Sequence, residues 1–340
     1  MAELLLGVDA GASNLKIIEL KEKKGQYSLK NIFLRQMTPG VIVDGTVLDH
    51  GAAAHVIKEC LAHAKGFTKD AALGMRGRDA VVKRMEIAWN GKGNFQETFV
   101  WNADQYIGIP SSKATFDAQL LSYDSGKGFA DAVIAAANRD KVADCIAMAE
   151  LAGLKPVVVD IEALALVNLT SVMFGRKKHP NALIDLGHDC TNIIFYENGF
   201  VDYVKSIPKG CKFLTEEIAQ DMDVELEKAT EILRDKEIMT NDVDAQAAAM
   251  SFGSNLGAEI ETAVETYMSD RRKEPVDIHL CGAGANIKML VDQMEIAMRM
   301  SLPALNPFSA VDVPEQMKPV TEKAGACAFA VAVGLAMRRA

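Results

Sequence analysis

Residues 4–20 read LLLGVDAGASNLKIIEL. An apolar run ends at Asp9, small residues follow at Gly11, Ala12, Ser13 and Asn14, Lys16 comes next, and a second apolar run closes the stretch. The pattern predicts two strands joined by a tight turn whose backbone N–H groups can face an anion. Asp9, at a strand end, is placed to hold a metal-bound water. Lys16 adds a compact positive charge. An ordinary hairpin with an exposed lysine gives the same local pattern, so the stretch alone leaves both readings open.

The pattern returns in residues 181–200, NALIDLGHDCTNIIFYENGF. An apolar strand ends at Asp185, a turn carries Gly187, His188 and Asp189, and Thr191 opens a second apolar strand. Asp9-x-Gly11 and Asp185-x-Gly187 are one device used once in each half of the chain. A repeat at domain spacing predicts two similar domains, each presenting a strand–turn–strand phosphate clip to a shared cleft. Two carboxylates from opposite domains can share one magnesium ion. A third piece follows at residues 278–285, where an apolar strand runs into Gly282-Ala283-Gly284-Ala285 and then a helix. Glycine lets the backbone approach a nucleoside or phosphate, and a helix N-terminus favours an anion; a plain packing turn has the same composition. Glu162, between an apolar strand and a helix, is placed either to orient an attacking water or to interact with the helix dipole. His188 reads as a turn residue, and Trp89, Trp101 and Tyr106 as local packing.

Between the clips the chain begins as strand, strand, strand, helix, with the helix over residues 49–65. That order is unlike a dinucleotide-binding βαβ unit with its Gly-rich fingerprint. The texture changes after Asp70. Residues 79–155 read as an inserted α/β subdomain with strands near 80–87, 114–122 and 130–137, a short helix at 98–106 and a longer one at 138–153. Domain one then covers residues 1–180, ending in a polar link at 175–180, and domain two covers 181–318. A long helical region at 242–270 is expected to break at Gly253 and Gly257. A final helix, within 319–340, is expected to pack back on domain one.

A chain of 340 residues with 49% hydrophobic and 24% charged residues fits two globular domains rather than a disordered segment. A formal net charge of −9 argues against a broad nucleic-acid surface. The six cysteines, at 60, 145, 190, 211, 281 and 327, form no Cys-x-x-Cys pair and suit a reducing cytoplasm. The apolar start breaks at Asp9, unlike a signal peptide, and the Ala-rich stretch 324–337 is too short to span a bilayer. Membrane association is therefore expected only through a partner.

The set Asp9-x-Gly11…Lys16, Asp185-x-Gly187…Thr191 and Gly282-x-Gly284 resembles the nucleotide-binding signatures of the actin-like ATPase superfamily. Within it the chain is similar to the type IV pilus assembly PilM family, relatives of the cell-division protein FtsA. The likeness is carried by TPGVIVDGTVLD at 38–49, IPKGCKFLTEEIA at 207–219, IHLCGAGANIKML at 278–290, NPF at 306–308 and GACAFAVAVGLAMR at 325–338, together with both clips. It implies an α/β, actin-like (ribonuclease H-like) two-domain fold with an FtsA-type subdomain inserted in domain one. It also implies an ATP–magnesium cleft and a cytoplasmic scaffold that docks the N-terminal tail of a PilN-like inner-membrane protein beside the insert. Pilus motor ATPases or the platform protein are further implied partners.

Carried over, Asp9 and Asp185 would position magnesium. Gly11, Ala12, Ser13, Asn14 and Lys16 would hold phosphates from one side, and Gly187 and Thr191 from the other. Gly282, Ala283 and Gly284 would face the nucleoside, and Glu162 would position water. The chain departs from the pattern at Thr230 and Leu233, where a Glu and a Lys usually grip ribose and adenine; the nucleoside end is expected to be weaker than the phosphate end. The rival readings are an FtsA-like filament protein, which calls for a C-terminal amphipathic helix, and a small-molecule kinase, which calls for a catalytic aspartate near the insert. Neither feature stands out in the sequence.

Overall fold

The computed structural model describes residues 4–64, 66–76, 80–235, 239 and 241–339. The expected boundaries at Lys65, Asp79 and Ala340 lie outside the described residues.

The first half opens with β1 (Leu6–Ala10), β2 (Asn14–Lys23) and β3 (Gln26–Gln36), an antiparallel meander. A small hairpin, β4 (Ile42–Val43) and β5 (Thr46–Val47), leads to α1 (His50–Ala62). Asp49 caps α1, its carboxylate accepting from the Ala52 N–H at 2.8 Å. β6 (Asp70–Met75) then pairs parallel with β1.

The insert contributes β7 (Ala80–Ala88), α2 (Phe95–Asn102), β8 (Ala114–Asp124), β9 (Phe129–Asn138) and α3 (Arg139–Leu151). β10 (Lys155–Ile161) pairs parallel with β6 and hands over to α4 (Glu162–Phe174). The second half repeats the meander in β11 (Asn181–Leu186), β12 (Thr191–Glu197) and β13 (Phe200–Ile207). There follow α5 (Cys211–Asp221), α6 (Leu226–Arg234), α7 (Val243–Arg271), β14 (Asp277–Cys281), α8 (Lys288–Met298), β15 (Val311–Asp312), α9 (Lys318–Ala324) and α10 (Ala330–Ala336). β14 pairs parallel with β11 as β6 does with β1. Each half is therefore an antiparallel three-strand meander flanked by a parallel strand, the repeat that the twin Asp-x-Gly turns imply.

The two sheets have the orders β10-β6-β1-β2-β3-β15 and β14-β11-β12-β13-β7-β9-β8. The insert's strands thus prolong the sheet of the second half, meeting it where Lys83 of β7 lies opposite Tyr203 of β13. Its helix goes the other way: Cys145, Met148 and Ala149 of α3 are buried with Ile57 and Cys60 of α1 in the core of the first half.

Four local expectations change. α7 runs unbroken through Gly253 and Gly257, because a Cβ at either position would press on Leu290 or Ala297 of α8; the glycines permit close helix packing. The last helix is instead two short ones, with Gly325 between them at φ +75°. The helix in the insert starts earlier than residue 98, because Asn94 caps it by accepting from the Gln96 N–H. Trp89 packs edge-on against Phe95 and Tyr123, and Tyr106 stacks on Phe99, but Trp101 is 84% exposed. Among the described residues no single helix is long and apolar enough to cross a membrane. The terminal α10 is fully buried.

Candidate functional site

The two clips share a geometry down to one hydrogen bond. In the β1–β2 turn the Gly11 N–H donates to the Asn14 carbonyl at 3.1 Å; in the β11–β12 turn the Gly187 N–H donates to the Cys190 carbonyl at 3.1 Å. Asp9 stands opposite Lys16 in its hairpin, and Asp185 opposite Asn192 in the other. Both carboxylates are buried. The start of α5 is docked on the second clip, where the Cys211 N–H donates to the Gly187 carbonyl at 3.0 Å and the Lys212 N–H to that of His188 at 2.9 Å.

A cavity of about 990 Å³ lies between the halves. Asp9, Gly11, Ala12, Ser13, Asn14 and Lys16 line one side, and Asp185, Gly187, Gly282 and Ala283 the other. His188 also lines it, and burial lowers its pKa from the usual 6.5, so the ring is held neutral. The departures expected at the nucleoside end fall in this cavity too: Thr230 and Leu233 line it beside Arg234. The Thr230 hydroxyl is engaged within α6, donating to the Leu226 carbonyl at 2.8 Å.

Three expected site residues stand elsewhere. Thr191 is fully buried and its hydroxyl donates to the Lys209 carbonyl at 2.7 Å, tying β12 to the loop before α5. Gly284 faces Leu186 and Cys211, where any Cβ would collide, so it acts as a packing residue. Glu162 lies behind the cleft, 4% exposed; one oxygen accepts from Arg76 Nε at 2.9 Å and the other is buried without a partner.

Arg76 is the residue that sequence reasoning missed. It follows β6, lines the cavity and stands between the clips: its Nη1 is 3.9 Å from where a Cβ of Gly11 would be and 3.4 Å from that of Gly187. Besides Glu162 it reaches Asp9, with Nη2 3.4 Å from Oδ1. The other Asp9 oxygen accepts from Lys16 Nζ at 2.9 Å. Glu162, Asp9 and Asp185 together hold the Arg76 guanidinium charged well beyond its ordinary range, despite the burial that opposes it. Burial in turn pushes Glu162 up to about 7 and raises Asp185, each against the pull of Arg76. The only sequence signal for this arrangement was a basic residue at the end of a strand parallel to β1.

The expected magnesium position therefore carries a guanidinium. Asp9 has both oxygens engaged by cationic groups, and among the described residues no group of three or more His, Cys, Asp or Glu is arranged to hold a metal. Magnesium requires oxygen ligands in near-octahedral order, and a fixed cation amid the carboxylates opposes it. The residues as placed do not fit the ion.

Comparison with known proteins gives a consistent result. The family model described as type IV pilus assembly protein PilM matches residues 7–340. Among solved structures, the chain is similar to a PilM-PilN type IV pilus biogenesis complex at 24% identity and a TM-score of 0.84, covering 99% of each chain. It is also similar to the ethanolamine utilization protein EutJ from Carboxydothermus hydrogenoformans, at 14% identity and a TM-score of 0.61 over 99% of this chain and 90% of that one. MreB 5 of Spiroplasma citri bound to AMPPNP matches at 12% identity and a TM-score of 0.51, over 98% and 95%. The fold is actin-like, α/β and two-sheeted.

Proposed function

Because the chain belongs to the type IV pilus assembly protein PilM family, we propose that it is a nucleotide-binding scaffold of the pilus inner-membrane assembly complex. Its output is docking of a PilN-like protein's cytoplasmic N-terminal tail beside the insert. The carrying observation is the pair of matched clips facing each other across one cavity, whose volume of about 990 Å³ suits a nucleotide. A relative of the same fold was solved with AMPPNP, and another with PilN, which supports both halves of the reading. The scaffold would work at the cytoplasmic face of the membrane, reaching it only through the partner; motor ATPases or the platform protein would join through the same assembly.

The ligand's phosphates would lie against the backbone of Gly11–Asn14 and Gly187, with Lys16 beside them. Domain one would comprise residues 1–180 with the C-terminal helix returned to it, and domain two residues 181–318. Turnover would be slow or absent. A kinase or fast ATPase needs a carboxylate free to accept a proton from the nucleophile. Here Asp9 is bound by Lys16 and Arg76, and Glu162 by Arg76, while burial raises the pKa of Asp185, the other carboxylate lining the cavity, and so disfavours the charged form a base requires. Glu162 would thus affect a water only through Arg76, not directly.

Two measurements test the proposal. Calorimetric titration should show saturable ATP binding that Lys16→Ala, which removes a cation lining the cavity beside the first clip, weakens at least about tenfold; equal binding by both proteins would remove the clip from the site. Immobilised peptide copying the tail of the PilN-like protein from the same genome should capture the chain. Trp101→Ala, which removes an exposed aromatic from the insert, should reduce capture. Failure to capture, or transfer of phosphate to a small-molecule acceptor, would overturn the scaffold reading.

A further inference from the structure

We propose that Arg76 takes the place of the divalent cation, so that this cleft binds its nucleoside triphosphate without metal. The inference rests on the reading of the cleft as a nucleotide site.

Two independent observations carry it. The first is position: the guanidinium stands between Gly11 and Gly187, ion-paired to Asp9 and Glu162, at the point the two clips converge on. A guanidinium offers five N–H donors in a planar fork and pairs with phosphate oxygens bidentately. The second is the charge of the walls. Lys16, Arg35, Arg76 and Arg234 line the cavity against the carboxylates Asp9 and Asp185, with Lys288 also there but paired with Asp292 at 2.6 Å, in a protein whose net charge is −9. A polyphosphate brought in with magnesium needs little further positive charge; one brought in alone needs such a surplus. Arg234 extends the bias across the cleft, its Nη2 lying 3.4 Å from Ser13 Oγ of the first clip.

The local charges explain why a metal adds little. Two cations already compensate the carboxylates: Asp9 is paired with both Lys16 and Arg76, and Glu162 with Arg76. A phosphate oxygen can take over the Arg76 Nη2 donor that reaches Asp9 Oδ1, leaving Asp9 Oδ2 still paired with Lys16 at 2.9 Å. The bound triphosphate then spans Arg76, the amides of the clips and Arg234.

Calorimetric titration of the full chain with ATP, once in magnesium and once in EDTA, tests this. Wild type should bind in EDTA as tightly as in magnesium, or more tightly. Arg76→Ala should lose about tenfold or more in EDTA, and added magnesium should recover part of the loss. The double variant Arg76→Gln with Glu162→Gln removes the cation together with its buried carboxylate partner. It serves where the single variant does not fold, and should show the same new dependence on metal. Wild-type binding that requires magnesium would overturn the proposal while leaving the nucleotide site intact. No binding by wild type in either buffer would overturn the nucleotide reading and this one with it.

Discussion

Glu162 and Thr191 show how residues assigned to one role in the sequence acquire another in the fold. Burial pushes the Glu162 carboxyl up to about 7, above its ordinary 4.5, although Arg76 pulls it down. Between those values the native state holds a proton that the unfolded chain releases. The resulting stabilisation is complete below pH 4.5 and is lost as the pH rises through about 7. Glu162→Gln should therefore flatten the fall in denaturant midpoint over that window; a profile parallel to wild type would show that the carboxyl does not titrate there. Thr191→Val deletes a buried hydroxyl whose acceptor is the Lys209 carbonyl. It should cost about 1 kcal/mol of stability and leave ATP affinity unchanged; an affinity loss near tenfold would instead put the hydroxyl on the ligand. The sequence made Asp9, Asp185 and the glycines of the clips legible because a carboxylate at a strand end followed by permissive residues is a local pattern. Arg76 was not legible, since its place between the clips depends on β6 lying parallel beside β1, a pairing set by the tertiary fold.

At the scale of elements, glycines were the signals most easily misread. Gly253 and Gly257 suggest breaks in an isolated helix, yet they sit where α8 crosses α7 at close range, and packing overrides propensity. Gly325 is the opposite case, in an apolar run that reads as continuous helix. It adopts φ +75°, and a Cβ there would overlap the Asn286 side chain. The break turns the chain so that the Cys327 carbonyl accepts from the Gly282 N–H at 3.1 Å and the Ala324 carbonyl from Asn286 Nδ2 at 3.2 Å. The C-terminal segment thereby supports the glycine turn that lines the cavity on the side proposed to face the nucleoside. Gly325→Ala should lower stability by about 1–3 kcal/mol and weaken ATP more than it weakens inorganic triphosphate, which does not reach that end. Equal weakening of the two would show that the turn is not coupled to the nucleoside.

For the whole molecule, the insert joins the two halves in a way that residue patterns did not disclose. Its helix α3 is in the core of the first half, while its strands extend the sheet of the second. At the seam with the second half, Val82 and Val133 of the insert are buried with Tyr196 and Val201. The polar contacts across it centre on Arg84 of β7: held by Asp131 of β9 at 2.8 Å, it approaches Glu197 of β12 at 3.9 Å, and its carbonyl accepts from Arg271 Nη1 of α7 at 3.4 Å. The change in texture marks these residues in the sequence, but which sheet their strands join depends on pairing across a long separation. A ligand that draws the clips together must strain this bridge, so ATP and the tail peptide should alter each other's affinity. The two factors must be equal, because coupling of binding free energies is reciprocal. Arg84→Ala should bring that shared factor towards one and, by relieving the strain, leave the affinity for ATP alone no weaker than in the wild type, since Arg84 does not line the cavity. Calorimetry of each ligand with the other absent and at saturation measures it. A factor of one in the wild type would mean that the insert passes no strain between the cleft and the docking surface. A factor above one that survives Arg84→Ala would place the coupling through α3 and the core of the first half instead.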